Sequence, residues 1–101
     1  MELKRGNTYK LNATINNVDV EDIAQIVFKF NDVEKIYKSD GTGDVELTEE
    51  NVFIISLSQN DTLQLDGSVS YEIAVKFTNG EVKRSKIQNT PSINTIIERA
   101  I

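Results

Sequence analysis

The residues that most constrain this chain lie between positions 68 and 78, where Val69, Tyr71, Ile73, Val75 and Phe77 alternate with Ser68, Ser70, Glu72, Ala74, Lys76 and Thr78. A period of two sustained this long is the pattern of a strand with one buried and one wet face, because a helix of 3.6 residues per turn would scatter the same side chains around its axis. The run meets Asn79-Gly80, a dipeptide suited to the positive φ angles of a type I′ turn, and continues through residues 81–87. A hairpin is expected here.

Shorter stretches repeat the rhythm. Tyr9, Leu11, Ala13 and Ile15 alternate with polar residues, and Ile26, Phe28 and Phe30 alternate with Val27 and Lys29. Asn31-Asp32 reads as a turn into a strand over 35–39 whose buried residue is Ile36 or Tyr37. Residues 40–44, with Gly41 and Gly43, read as a loop, and 45–47 as a short strand. Residues 51–58 carry apolar side chains on both faces, which suits a central strand. Residues 59–65 suit one short 3₁₀ or α turn, with Asn60 or Asp61 as cap and at least one of Leu63 and Leu65 buried. The sum is an all-β antiparallel sandwich of about seven or eight strands.

With 101 residues and no visible linker or repeat, residues 1–101 read as a single domain. The 39% hydrophobic content suits a thin two-layer core. Leu65, Gly67 and Tyr71 have the spacing of a tyrosine corner, which points to the immunoglobulin-like subclass, although Tyr71 also fits as an ordinary core aromatic.

The C-terminal stretch reads differently. Pro91 cannot donate to a ladder and marks a boundary, after which Ile93, Ile96, Ile97, Ala100 and Ile101 recur at helical spacing. A short amphipathic helix capped by Ser92 is expected, or else a last strand through Ile93, Thr95 and Ile97. An isolated helix this short is unstable in water, so the stripe must pack on its own sandwich or on another chain. Ile93, Ile96, Ile97 and Ile101 are therefore the candidate partner-docking residues.

The composition removes much chemistry. There is no histidine and no cysteine, hence no imidazole base, no thiolate and none of the usual zinc ligands. A serine–lysine pair is formally open through Ser85 with Lys83 or Lys86, but alternation turns Ser85 away from the adjacent Lys86 and the pair is disfavoured. The carboxylate pairs Asp40 with Asp44, Glu49 with Glu50, and Asp61 with Asp66 all fall in expected loops, where they read as solvated acids rather than as a hydrolytic dyad. Asp40-Gly-Thr-Gly-Asp44 supplies too few oxygen ligands for calcium and lacks the lysine of a phosphate loop. No catalytic, cofactor or metal site is expected, and the chain reads as no enzyme.

A net charge of −5 argues against nucleic acid, and the basic clusters Lys4-Arg5 and Lys83-Arg84-Lys86 read as solvated faces. The longest apolar run, residues 52–55, is too short for a membrane helix, and residues 1–11 lack the apolar stretch of a secretion signal. The host cytoplasm, or a particle assembled there, is the expected location.

Three segments together carry a resemblance: Lys4-Arg5-Gly6-Asn7-Thr8; Ser58-Gln59-Asn60-Asp61-Thr62-Leu63; and the hairpin from Tyr71-Glu72-Ile73 through Asn79-Gly80-Glu81-Val82 to Ser85-Lys86-Ile87. The chain resembles small immunoglobulin-like β-sandwich proteins of phage and prophage tail and baseplate modules of Gram-positive bacteria, including the N-terminal domain of baseplate upper proteins. The resemblance implies a virion-associated structural role, with other tail or baseplate proteins, or a second copy of itself, as partners. It carries over no functional residue. A carbohydrate-binding or adhesion module on the same fold is the alternative, with Tyr9, Tyr37 or loop aromatics stacking on sugar faces, and the absence of tryptophan weighs against it.

Overall fold

A computed structural model describes residues 2–101. The longest strand, β7 (Ser68–Phe77), organises the larger of two sheets. On one side it pairs antiparallel with β3 (Ile23–Phe30), which pairs in turn with β4 (Val33–Lys38). On its other side lie β8 (Val82–Arg84) and β9 (Gln88–Ile93), and β1 (Leu3–Lys4) runs parallel to β9 at the far edge. The smaller sheet places β6 (Phe53–Leu57) between β2 (Tyr9–Ala13) and β5 (Glu46–Leu47). A 3₁₀ turn, Val20–Asp22, precedes β3, and one short helix, α1 (Gln59–Leu63), links β6 to β7. The chain is an all-β sandwich.

The alternating residues do what their period requires. Val69 and Val75 are buried and Tyr71, Ile73 and Phe77 half-buried against Ile26, Phe28 and Phe30 of β3 and Phe53, Ile55 and Leu57 of β6. Of Ile36 and Tyr37 it is Tyr37 that is buried, with Val33 the other buried residue of β4, and the Tyr37 ring meets Phe53 edge-on at 4.9 Å. Although β1 has only two residues, it seats Leu3 in the core.

Several local expectations are corrected. The β7–β8 turn is not type I′: Gly80 takes φ +92° but Asn79 does not take a positive φ. The Gly80 amide donates to the Phe77 carbonyl and the Phe77 amide to the Glu81 carbonyl, the arrangement of a three-residue loop closed by a left-handed glycine. Tyr71 forms no tyrosine corner; its hydroxyl donates to Gln88 Oε1 at 2.8 Å and its ring stacks on Phe30.

Pro91 sits inside β9 and ends nothing. The Ser92 amide donates toward β7, to the Gly67 carbonyl, so by alternation the Pro91 nitrogen faces the β1 side, where pairing begins only at Leu3 opposite Ser92. Neither a C-terminal helix nor a strand through Ile97 forms; β9 ends at Ile93, and residues 94–101 have no regular structure.

The cap of α1 is Ser58, ahead of the two residues expected. Its hydroxyl accepts from the Asp61 amide while the Asp61 carboxylate accepts from the Ser58 amide. Thr62, fully buried on this helix, ties it to the β1–β2 turn: its Oγ1 accepts from the Gly6 amide at 3.0 Å and donates to the Asn7 carbonyl at 2.7 Å. Replacing Thr62 with valine keeps the volume but leaves both backbone groups without a partner. Urea denaturation of Thr62→Val should show a loss of about 1–3 kcal/mol with an unchanged m-value.

Candidate interaction surface

The C-terminal segment is fastened by polar contacts and not by its isoleucines. Arg5, only 11% exposed, donates to the Leu63 carbonyl from Nη2 at 2.7 Å and from Nε at 3.2 Å. Its Nη1 reaches Asn94 Oδ1 at 2.6 Å and Glu98 at 3.4 Å. The Lys4 ammonium meets the Asn94 carbonyl. At the end of the chain the Gln59 side chain pairs with the backbone of Ile101 in both directions, accepting from its amide at 2.7 Å and donating to its carbonyl at 3.2 Å. Arg5, Gln59 and the turn after β1 are thus the platform on which residues 94–101 lie. Arg5 is correspondingly not the solvated cation its sequence context suggests.

The apolar side chains of this segment face water. Ile96 is 99% exposed, Ile101 86%, Ile97 55% and Ile93 43%. The expected stripe exists as composition but is not docked on its own sandwich. The anchors could not be read locally, since Arg5 and Asn94 meet across 89 residues of chain and Gln59 and Ile101 across 42.

Beside this platform, Lys35 and Asp61 form a 2.9 Å ion pair, each about one-fifth exposed. Lys35 lies opposite Phe28 in register, on the inward face of an edge strand, and its ammonium escapes the core by reaching α1. The pair lines a groove of about 670 Å³ with Tyr9, Lys10, Ser56 and Ser58. Burial pushes the Asp61 carboxyl upward, but the Ser58 amide and hydroxyl together with Lys35 outweigh it and hold the group below 3.8.

The remaining candidates are scattered or occupied. Asp40 accepts from the Thr42 amide and hydroxyl, which hold its carboxyl below the ordinary value, while Asp44 turns to the Ile36 amide. Among the described residues no three acidic side chains are placed to share a cation. Ser85 Oγ accepts from the Ile73 amide and donates to the Lys86 carbonyl, and Lys83 lies over the Phe77 ring at 5.8 Å. Tyr37 is buried and offers no ring face for stacking on a sugar, while Tyr9 is half-buried on the wall of the groove with its hydroxyl accepting from the Lys4 amide. The opposite end of the sandwich opens into a cavity of about 480 Å³ whose rim includes Asp19, Asp22, Glu81 and Lys83. Sequence reasoning misses that acidic end, because its residues come from loops far apart in the chain.

Comparison with protein-family models and with curated proteins returns no match for this chain.

Because Asp61 is held below its unfolded value, its stabilisation is complete above about pH 4 and disappears as pH falls through the lower folded value. Thermal melts between pH 6 and pH 2.5 should show the wild type losing its advantage over Asp61→Asn within that acid window and nowhere above it. A gap that persists unchanged at the acid end would show that the carboxylate charge is not the cause.

Proposed function

We propose that this chain is a non-enzymatic interaction module of immunoglobulin-like type, serving as an accessory or adaptor part of a phage or prophage tail or baseplate and docking on a neighbouring protein through Ile93, Ile96, Ile97 and Ile101. The observation that carries the docking is their exposure, with Ile93 at the end of β9 and Ile96, Ile97 and Ile101 on a segment held down only by polar groups. A monomer rarely leaves several large aliphatic side chains in water on one short stretch without a partner to cover them. The strand order supports the immunoglobulin-like type: β2, β6 and β5 correspond to strands B, E and D, and β4, β3, β7 and β8/β9 to C′, C, F and G. The engagement of Ser85, Asp40 and Asp61 in local hydrogen bonds supports a role without catalysis. The tail or baseplate setting rests on the resemblance of the segments around Lys4, Ser58 and Tyr71, and with it the location in a virion or in the host cytoplasm during assembly.

Truncation is a poor test, because cutting after Thr90 would remove half of β9. Substitution is cleaner. Ile96→Ser/Ile97→Ser/Ile101→Ser should leave the melting temperature within a degree or two, since no buried contact is lost. The same variant should abolish co-purification with the products of flanking tail genes, which the unaltered chain should retain. Flanking genes of a metabolic operon, or undiminished capture by the triple variant, would overturn the proposal.

A further inference from the structure

Among the described residues five strand edges could meet another chain, and four carry a device against it. β1 and β5 have two residues each, too short to template a partner. β4 turns Lys35 inward, and its Ile36 carbonyl already accepts from the Asp44 amide at 2.7 Å and the Val45 amide at 3.1 Å. Gly43 lies so close to this strand that a Cβ would run into the Ile36 carbonyl and the Lys38 amide. β8 has three residues, two of them Lys83 and Arg84, and is interrupted by a bulge: Ala74 faces Arg84 while Tyr71 faces Gln88, so the partner strand carries one residue more than β7 over that span.

The fifth edge, β2, has none of these. Its five residues, Tyr9–Ala13, pair regularly with β6 and with nothing else among the described residues. It contains no proline, bulge or inward charge. Its core-facing residues Tyr9, Leu11 and Ala13 are only half-buried, so an added strand would complete their cover. The one charge on the strand is Lys10, on the solvent face with Asn12.

From this edge we infer that β2 is a strand-addition surface for a second copy of this chain, paired antiparallel about a two-fold axis at Leu11. In that register Lys10 of each copy lies opposite Asn12 of the other, Tyr9 opposite Ala13, and Leu11 opposite Leu11. No like charges meet, the largest side chain faces the smallest, and the two small sheets join into one of six strands. The solitary lysine, which would repel itself in any register placing it face to face, instead selects this one. The inference rests on the interaction-module reading but uses a surface separate from the isoleucine segment.

Sedimentation velocity from about 10 μM to 1 mM tests it, the range in which an interface below about 1,200 Å² assembles. The wild-type chain should pass from monomer to dimer across this range. Asn12→Lys, which sets Lys10 of each copy against a second ammonium on the other, should weaken the dimer at least tenfold without altering the melting temperature. Adding Lys10→Glu to it places opposite charges across the pair and should restore association to within about threefold of wild type. A chain monomeric at 1 mM overturns the inference, as does a dimer indifferent to Asn12→Lys. A dimer abolished by the triple isoleucine variant but not by Asn12→Lys also overturns it, by moving self-association to the tail. Loss of partner capture in that variant with the Asn12-sensitive dimer intact leaves both surfaces standing, and undiminished capture with the same dimer intact removes the tail alone.

Discussion

The structure depends on the register of β7. Its inward residues from Val69 to Phe77 complete the core of the larger sheet, and a one-residue slip would turn every one of them to water and Ser70, Glu72 and Lys76 inward. β3 fixes that register on one side, with Ile26 opposite Val75 and Phe30 opposite Tyr71. At the end of the pair Asn31 extends the ladder from within the turn, at φ +50°: its amide donates to the Ser70 carbonyl and its side-chain oxygen accepts from the Ser70 amide. Most other residues would be strained there, and glycine would keep the φ but lose the second bond.

On the other side the fit is looser and more informative. The extra residue near Ile87 lets β8 and β9 follow β7 as one interrupted strand. It also decides which residues face inward: after the bulge Gln88, Thr90 and Ser92 share the inner side with Tyr71 and Val69, and Ile87 is left 66% exposed. The register also gives the Tyr71 hydroxyl its polar partner, Gln88, in place of the backbone acceptor of a tyrosine corner. The bulge also limits how far β8 could pair with any other chain, which leaves β2 as the unprotected edge.

What could be read from the sequence was whatever depends on neighbours in the chain. The strand β7, the turn at Asn31-Asp32, the central position of residues 53–57 and the helical turn within residues 59–65, though not its cap Ser58, follow from periodicity and turn composition, both local properties. What escaped depends on partners far along the chain. Pro91 misleads because proline's tolerance in a strand depends on which side its missing N–H would face, and only the pairing with β1 and β7 sets that. The helical spacing of Ile93, Ile96, Ile97 and Ile101 is real, but no surface of this chain receives it, and without one a helix so short does not hold. Arg5 has the sequence context of a solvated cation because nothing near it in the chain announces the Leu63 carbonyl.

The two exposed surfaces differ in what each can contribute. Covering Ile96, Ile97 and Ile101 would yield about 1.5–3 kcal/mol apiece, a useful sum once the tail's weak fastenings, such as the Arg5–Glu98 pair with its two-thirds exposed carboxylate, are rearranged. Such burial is non-directional and fixes no register. A strand edge is the reverse: its hydrogen bonds net only about 0.5–1.5 kcal/mol each against an association penalty of about 4–15 kcal/mol, but they dictate register and orientation. Edge pairing alone is therefore weak in dilute solution. Were tails to hold neighbouring copies on a common partner, as proposed, effective concentrations on the order of millimolar would bring the β2 edges into the range where they pair. On this reading affinity comes from the irregular segment and geometry from the regular one, which is the division of labour expected when a small sandwich must be placed in one orientation within a larger assembly.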